Sequence, residues 1–397
     1  KVFSVMKVDI GPAASCTVGS GDVTFCDEAM SINAKCTCGV GPYMEADSQY
    51  IDCTDSGFTD TSVLQHVPNE TEVLIFTGNS IPELPWNVLG NFNAYEKLRV
   101  IDMSNNKIRE IRGKSYHRVS NVRRLILNHN DLSISSRNGT NHHHPRVFSN
   151  FVDLMELHLT NAFADNTPED LATDLHDIFV NSNLTQLTKL HLEQNEITGF
   201  RDRQVFCDLP KLMDLHLGDN MLKGLNFDIN CLKHLRFLDL ERNQISGFSA
   251  EDLDTLDSFP AQNKSLMIDL RGNHFLCDCK IADLYGWLQK TQVQVREKEM
   301  LRCHRGIPES NGGEPIIELR QIQCAPRMEA SINSGVQHRA TTIVLGTLTV
   351  ILFALLAMVV YMNRLLIKYH FAPILDTVSR KVQYTNISKQ EDQEMDV

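Results

Sequence analysis

Three histidines occupy the same position of a pattern that repeats through the middle of the chain. His158, His191 and His216 each lie four residues before a slot that usually holds asparagine, and Asp239 and Asp269 take that position in the next two repeats. Imidazole titrates near pH 6.5, so these histidines could make a surface sensitive to pH. Inheritance of one residue by duplicated repeats is the simpler explanation, and we favour it over pH sensing. We still expect the row to contact a ligand.

The pattern behind this row places apolar residues three and five positions before the asparagine slot. Eight copies occur, and Ala162 replaces the asparagine in the fourth. The other copies contain Asn79, Asn106, Asn130, Asn195, Asn220, Asn243 and Asn273. Each copy supplies one short strand with inward leucines, and the asparagine amide bonds to backbone groups that the bend would leave unpaired. This L-x-x-L-x-L-x-x-N-x-L spacing is typical of leucine-rich repeats.

The sequence therefore predicts an α/β leucine-rich repeat solenoid, or horseshoe, in which each turn contacts its neighbours. Side chains between the inward leucines face the concave surface, and adjacent strands lie about 4.8 Å apart. The three histidines should then form a row that continues into the two aspartates. The same slot of the first copy holds Ile75. The predicted ligand-binding residues of the concave face are Asp102, Ile126, His158, His191, His216, Asp239 and Asp269.

Cysteines cluster on both sides of the repeats. The first cluster is Cys26, Cys36, Cys38 and Cys53, and the second is Cys277, Cys279, Cys303 and Cys324. Such clusters suit an oxidising compartment, where disulfide bonds can close the ends of a repeat array. Zinc is disfavoured because neither C-x-C pair is accompanied by the paired C-x-x-C spacing of zinc sites. The sequence predicts disulfide-bonded caps at both ends of the solenoid.

Three cysteines lie outside these clusters. Cys207 and Cys231 are 24 residues apart, about one repeat, which would stack them on adjacent turns. A bond between them is the favoured interpretation, and two buried free thiols are the alternative. Cys16 is left unpaired or available for a bond between chains.

Residues 340–362 contain no charged side chain over 23 positions. About 20 apolar residues span the roughly 30 Å of bilayer hydrocarbon, so this segment is predicted to be a transmembrane helix rather than a buried core helix. The cysteines and four sequons precede it, which predicts a single-pass type I protein of the plasma membrane with the N-terminal side extracellular. A sequon at Asn386 follows it and should stay unglycosylated. The predicted glycosylation sites are Asn69, Asn138, Asn183 and Asn263.

Composition and motifs argue against several functions. The net charge is −12, and an acidic ectodomain disfavours nucleic acid as a partner. The sequence has no nucleophile elbow, zinc-protease motif or P-loop, so neither an enzyme nor a cofactor is predicted. The run from His142 to His144 is interpreted as a solvated loop rather than a metal site. The first residues read as a mature or truncated start rather than as a signal peptide.

Composition divides the chain into seven segments. They are a disordered N-terminal segment (1–25), an N-terminal cysteine-rich cap (26–71), the repeats (72–273), a C-terminal cysteine-rich cap (274–326), a juxtamembrane linker (327–339), the membrane helix (340–362) and a cytoplasmic tail (363–397). In the tail, Tyr384 and Ile387 fit the Y-x-x-Φ pattern of endocytic adaptors, although chance also produces it. Met395 and Val397 suit a PDZ groove, which captures a C-terminal strand and its carboxylate.

The sequence after the last repeat resembles the C-terminal cap of the extracellular leucine-rich repeat family. It reads FLCDCKIADLYGWL, with Cys277, Cys279 and Trp287, and Cys303 and Cys324 follow. The resemblance implies the bonds Cys277–Cys303 and Cys279–Cys324. The same resemblance implies, for the N-terminal cap, the bonds Cys26–Cys38 and Cys36–Cys53, with Cys16 as a rival for one of them.

The whole arrangement from Cys26 onward resembles the trophoblast glycoprotein branch of that family. The shared features are a capped array of about eight repeats, a glycosylatable interruption, one span followed by Tyr-x-Asn-Arg, and a short tail ending Asp-Val. The resemblance implies a cell-surface regulator that binds an extracellular protein ligand or co-receptor and inhibits Wnt/β-catenin signalling. Cell adhesion or synapse organisation is the alternative. A PDZ-domain protein, an endocytic adaptor and the lipid bilayer are the further predicted partners.

Overall fold

Short strands alternate with turns and helices along the chain. The computed structural model describes residues 35–43, 46–90, 95–112, 115–116, 119–133, 146–164, 171–200, 202–262, 264–320, 322, 348–352, 354–355, 357–359 and 361. The strands are β1 (Thr37–Tyr43), β2 (Ala46–Asp52), β3 (Val73–Ile75), β4 (Glu83–Leu84), β5 (Val100–Asp102), β6 (Glu110–Ile111), β7 (Arg124–Ile126), β8 (Glu156–His158), β9 (Lys189–His191), β10 (Asp214–His216), β11 (Phe237–Asp239), β12 (Met267–Asp269), β13 (Leu276–Cys277), β14 (Gln294–Val295) and β15 (Arg305–Gly306). The helices are α1 (Leu171–Ser182), α2 (Ala250–Ala261) and α3 (Ile281–Lys290), with 3-10 helices at Ser62–His66, Ile229–Cys231, Lys298–Met300, Glu309–Asn311 and Ile316–Glu318.

Within the described residues, eleven strands form one sheet in the order β1-β2-β3-β5-β7-β8-β9-β10-β11-β12-β14. β1 and β2 pair antiparallel, and every later pair in this sheet is parallel. Each repeat contributes one strand of three residues. The predicted leucine-rich repeat solenoid is confirmed.

The middle residue of each repeat strand is buried in the core with no exposed surface. These residues are Leu74, Ile101, Leu125, Leu157, Leu190, Leu215, Leu238 and Ile268. Burying one such side chain contributes about 1.5–3 kcal/mol, and each turn can bury it only against its neighbours. Because successive side chains of a strand point to opposite faces, the residues on either side of each middle residue point to the concave surface.

The asparagines join one turn to the next. Oδ1 of Asn220 accepts the N–H groups of Asn195 and Ile197 from the preceding turn, both at 3.0 Å. Its Nδ2 donates to the carbonyls of Leu192 and Leu217, also at 3.0 Å. Unpaired backbone groups in a buried bend would each cost about 1–3 kcal/mol, so one amide satisfies several of them at once.

The fourth turn lacks the asparagine, and its backbone groups are paired in a different way. The N–H of Leu132 donates to the carbonyl of Ala162 at 2.8 Å, and Leu132 forms a parallel bridge with Phe163. The N–H of Ala162 donates to Oδ1 of Asn195 at 2.9 Å. Backbone pairing therefore replaces the amide at this turn.

The N-terminal cap extends the sheet and also covers part of it. The hairpin of β1 and β2 pairs with β3 through β2. Tyr43 and Tyr50 of the hairpin pack against a small apolar cluster of Val73, Ile75 and Val100, which is separate from the main core. The first end of the concave face is therefore covered by the cap.

The C-terminal cap closes the core with a helix. The side chains that α3 buries are Ile281, Leu284, Trp287 and Leu288. The helix of the last repeat, α2, begins with a capping box between Ser249 and Asp252, in which each side chain bonds the other's backbone N–H. α3 therefore covers apolar side chains that a further repeat would otherwise cover.

Disulfide bonds hold both caps and one pair of turns. The predicted bonds Cys36–Cys53, Cys207–Cys231 and Cys277–Cys303 are present. Cys38 and Cys279 are also disulfide-bonded. Their predicted partners Cys26 and Cys324, and the remaining Cys16, lie outside the described residues.

The chain divides into the units Lys1–Cys324 and Ala325–Val397. In the second unit, residues 348–352, 354–355, 357–359 and 361 of the predicted membrane span are helical, and the rest of the span lies outside the described residues. No helix in the described part of the chain has the length and apolarity needed to cross a membrane.

Candidate functional site

Eight residues form one continuous row along the concave face. Pairing between neighbouring repeat strands places each of them directly opposite the next. We call these residues the concave row: Ile75, Asp102, Ile126, His158, His191, His216, Asp239 and Asp269. The row contains all the concave-face residues chosen from the sequence, and contact with a ligand remains a prediction for them.

The three histidines stack at the centre of the concave row. The ring centroids of His158 and His191 are 4.1 Å apart with an interplanar angle of 9°, and His191 and His216 repeat that geometry. The three side chains are 20%, 19% and 21% exposed. Ring faces are therefore packed against each other, and ring edges remain for contact with solvent or a ligand.

Glu193 approaches two of these histidines from the same side. Its Oε1 lies 2.9 Å from Nδ1 of His191 and 3.7 Å from Nδ1 of His216. Its Oε2 accepts a hydrogen bond from the Thr160 hydroxyl at 2.8 Å. Burial acts to raise the pKa of Glu193, but the hydrogen bonds and charge of these neighbours outweigh it, so the pKa lies below its ordinary value. Glu193 is therefore a carboxylate at neutral pH.

A charged cluster borders the row at His158. Glu156 contacts Arg124 Nε at 2.6 Å and Lys189 Nζ at 3.1 Å across adjacent strands. The neighbouring His158 imidazole, followed by Arg124, holds the pKa of Glu156 well below its ordinary value. Nε2 of His158 faces the Glu156 carboxylate, whose Oε2 is 3.5 Å away. Burial lowers the pKa of His158, so its imidazole is neutral at pH 7.

The C-terminal end of the row is acidic, and arginines balance much of its charge. Asp269 is buried with 1% of its side chain exposed, and it contacts Arg271 at 2.7 Å and Arg296 at 3.4 Å. Arg271 also contacts Glu241 at 3.1 Å. Asp239, next in the row toward the histidines, remains partly exposed.

The N-terminal end of the row offers less surface. Ile75 is 8% exposed beneath the tyrosines of the cap. Asp102 accepts the N–H and the hydroxyl of Ser104 at 3.0 and 2.6 Å. Burial raises the pKa of Asp102, against the effect of those hydrogen bonds. Ile126 is partly exposed and gives an apolar contact beside the histidines.

The carboxylates and cations that surround the histidines were not among the residues predicted from the sequence. Glu156 lies six residues before its slot, and Glu193 lies two residues before its own. Because side chains alternate along a strand, these two offsets also face the concave surface. The positions six, four and two residues before each asparagine slot, taken together, include both glutamates.

The remaining predicted sites fall partly within the described residues. Asn69 and Asn183 are exposed, as glycosylation requires. The predicted sites outside the described residues are Asn138, Asn263, Tyr384, Ile387, Met395 and Val397, and the sequon at Asn386 and the histidine run 142–144 also lie there.

Three groups in the described part of the chain bring together side chains of the metal-binding type. The groups are His191, Glu193 and His216; Asp239, Glu241 and Asp269; and Cys207, Asp228 and Cys231. In the last group the two sulfurs are joined to each other and are not free to bind an ion.

Comparison with known proteins gives relatives with repeats of the same type. The family model for leucine rich repeats matches residues 182–245. Trophoblast glycoprotein of Macaca fascicularis is 26% identical over 310 residues, which cover 77% of this chain and 70% of that protein. A phospholipase A2 inhibitor of Gloydius brevicaudus siniticus is 27% identical over 117 residues, 30% of this chain and 33% of the inhibitor.

A solved structure supports the same relationship. The crystal structure of human trophoblast glycoprotein, also described as Wnt-activated inhibitory factor 1, superposes with a TM-score of 0.59 and 25% sequence identity. The match covers 69% of this chain and 94% of that one. The similarity thus extends over most of this chain.

Proposed function

From the premise that the chain is a leucine-rich repeat protein similar to trophoblast glycoprotein, we propose that it is a cell-surface regulator that binds an extracellular protein on its concave row. The observation that carries this proposal is the partly exposed polar centre of the row, where stacked histidines meet charged residues of both signs. Binding, rather than catalysis, is the activity proposed.

The dimensions of the row favour a protein over a small ligand. Seven spacings of about 4.8 Å make it roughly 34 Å long. A standard interface buries about 800 Å² on each partner, which such a face can supply. Interleaved charges select a partner by electrostatic complementarity. One relative, the phospholipase A2 inhibitor, is named for action on another protein.

The specific pathway comes from the human relative, which is described as a Wnt-activated inhibitory factor. We extend that description to this chain as inhibition of Wnt/β-catenin signalling. A protein that binds a ligand or co-receptor at the cell surface can act on a pathway without a catalytic group, because occupancy alone removes the ligand or the receptor from signalling.

The proposal is tested with a β-catenin-dependent transcriptional reporter in cells stimulated with a Wnt protein. Cells that express the wild-type chain should show a lower response than untransfected cells. The combined variant His158→Glu, His191→Glu and His216→Glu leaves the buried leucines in place and should restore the response, because it places charge where interface energy tends to concentrate.

The matched control is His66→Glu, His234→Glu and His304→Glu, which makes the same change of type at exposed positions outside the concave row. This control should inhibit like the wild type at equal surface staining. If cells that express the wild-type chain respond like untransfected cells, the Wnt role is contradicted. Full inhibition by the concave variant places the binding surface elsewhere.

The anchor in the membrane is part of the same proposal. Residues 340–362 carry no charge, and the described apolar side chains Leu348, Val350, Ile351 and Leu352 are exposed. Exposed apolar side chains of a helix are stable in lipid. Glycan mapping tests the orientation: occupancy of Asn69 and Asn183 with a bare Asn386 agrees with it, and a glycan on Asn386 contradicts it.

A further inference from the structure

We propose that His191, Glu193 and His216 form a binding site for a divalent transition-metal ion of the zinc class at the centre of the concave row. The donor atoms of the three side chains all lie within 4.8 Å of one another. Two imidazoles and a carboxylate are ligands that zinc, copper(II) and nickel(II) share, whereas magnesium and calcium prefer oxygen ligands alone.

Both imidazole nitrogens lie close to one carboxylate oxygen. Nδ1 of His191 and Nδ1 of His216 are 2.9 and 3.7 Å from the same oxygen, Oε1 of Glu193. Ligands of a tetrahedral zinc ion, each about 2.0–2.1 Å from the metal, are roughly 3.3 Å from one another. The donor atoms, which lie within 4.8 Å of one another, would therefore move closer by up to about 1.5 Å around an ion through rotation of the side chains.

Strand pairing places the two imidazoles side by side on adjacent turns. The strands hold His191 and His216 in register, and their rings are nearly parallel at 4.1 Å. The lone pair of each Nδ1 lies in the plane of its ring, so at least one ring would turn out of the stack toward Glu193 to bind the same ion.

Thr160 bonds the Glu193 carboxylate from the side away from the proposed ion. Its hydroxyl holds Oε2 of Glu193 at 2.8 Å and leaves Oε1 directed toward the imidazoles. Contacts of this kind orient a ligating carboxylate, and their removal typically lowers metal affinity about 10–100-fold.

Gly218 keeps space for a fourth ligand. A Cβ at this position would lie 3.0 Å from Oδ2 of Asp239, closer than an ordinary contact. Oδ1 of Asp239 accepts the N–H of Glu241 at 2.9 Å, whereas Oδ2 lies 3.8 Å from Nδ1 of His216. Asp239 is therefore the candidate fourth ligand beside His216, and a side chain of a bound partner is the alternative.

The neighbouring groups are poorer candidates. His158 belongs to the same stack, but Arg124 and Lys189 lie beside it through Glu156, and their positive charge opposes a cation there. In the group of Asp239, Glu241 and Asp269, the last two carboxylates are already paired with Arg271. The ion is therefore expected at His191 and His216 alone.

The test is calorimetric titration of Zn²⁺ into the purified full-length chain after treatment with a chelator, with Co²⁺ absorption as a spectroscopic probe of tetrahedral coordination. We expect one site that His191→Ala or His216→Ala weakens by at least about 100-fold, and that Thr160→Val weakens about 10-fold. The control His158→Ala should bind Zn²⁺ like the wild type, although it shortens the same stack.

Equal binding by the wild type and the double variant His191→Ala and His216→Ala would overturn the proposal. So would a loss of binding in His158→Ala as large as that in His216→Ala. Glu193→Gln, which keeps the shape of the side chain, should also weaken binding and gives the same decision if the histidine variants unfold. The titration contains no partner protein, so a lack of Zn²⁺ binding is distinguishable from failure of the proposed Wnt role.

Discussion

The first repeat and the middle repeats place different chemistry in the same slot of the concave row. Ile75 is 8% exposed because Tyr43 and Tyr50 of the cap cover it, whereas the side chain of His191 is 19% exposed. Both residues follow a buried leucine on a repeat strand. The repeat fixes the direction of a side chain, and elements outside the repeat decide whether it becomes core or binding surface.

The largest effect is expected from breaking a disulfide bond in the cap at one end of the solenoid. Cys303→Ser breaks the bond to Cys277, which is fully buried, and should lower the free energy of unfolding by about 2–5 kcal/mol. We expect the variant to be retained in the secretory pathway, measured by surface staining. As the matched control, Cys207→Ser with Cys231→Ser removes the internal bond and leaves both caps intact. Normal surface levels of Cys303→Ser would contradict a stabilising role for the cap bond.

One substitution made at both positions tests the contrast in the concave row. Ile75→Gln should lower the free energy of unfolding by about 2–4 kcal/mol, because it leaves an amide among apolar side chains. His191→Gln should change it by less than about 1 kcal/mol, because the position is partly exposed. Denaturant unfolding followed by circular dichroism measures both. Equal losses would show that the cap does not distinguish the two positions.

A smaller effect is expected from pH. Burial and the like charge of His191 lower the pKa of His158 in the folded chain. They outweigh Glu156, which acts to raise that pKa. The unfolded chain takes up the proton first as pH falls below about 6.5, so this contribution to stability is complete above that pH and is lost below it. The slope is at most about 1.4 kcal/mol per pH unit.

The measurement is the unfolding midpoint between pH 7 and pH 5 for the wild type and for His158→Gln. The variant should lose stability less steeply over that range. The same slope in both proteins would mean that the His158 environment does not favour the neutral imidazole.

The periodic part of the structure could be predicted from the sequence because each repeat follows the same local rules. The register that aligns His158, His191 and His216 follows from their equal distance from the asparagine slot. The bonds made by Asn220 are those that the bend requires. In both cases residues distant in sequence adopt the predicted geometry because every turn repeats it.

The parts that could not be predicted depend on contacts between unlike segments. The burial of Ile75 depends on a hairpin that has no repeat pattern. The position of Glu193 beside two imidazoles depends on the side-chain rotamer that the Thr160 bond selects. At Ala162, backbone pairing replaced the asparagine, and no residue type in the sequence indicates it.

The central claim, that the middle of the concave row binds the partner, is tested most directly by placing a glycan on it. His191→Asn with Glu193→Thr creates an acceptor sequence around the buried Leu192, and Gln289→Asn creates one on α3 in the C-terminal cap. His191→Asn with Glu193→Ala removes the same side chains without adding a glycan. Each full-length chain carries an extracellular peroxidase that labels nearby surface proteins, which mass spectrometry then identifies.

We predict that at least one surface protein labelled by the wild type and by Gln289→Asn is lost when the glycan stands at position 191. Gel mobility confirms that each new site is occupied. The same labelled proteins for all of these chains, with the glycan present on the row, would contradict the claim that the concave row is the binding surface.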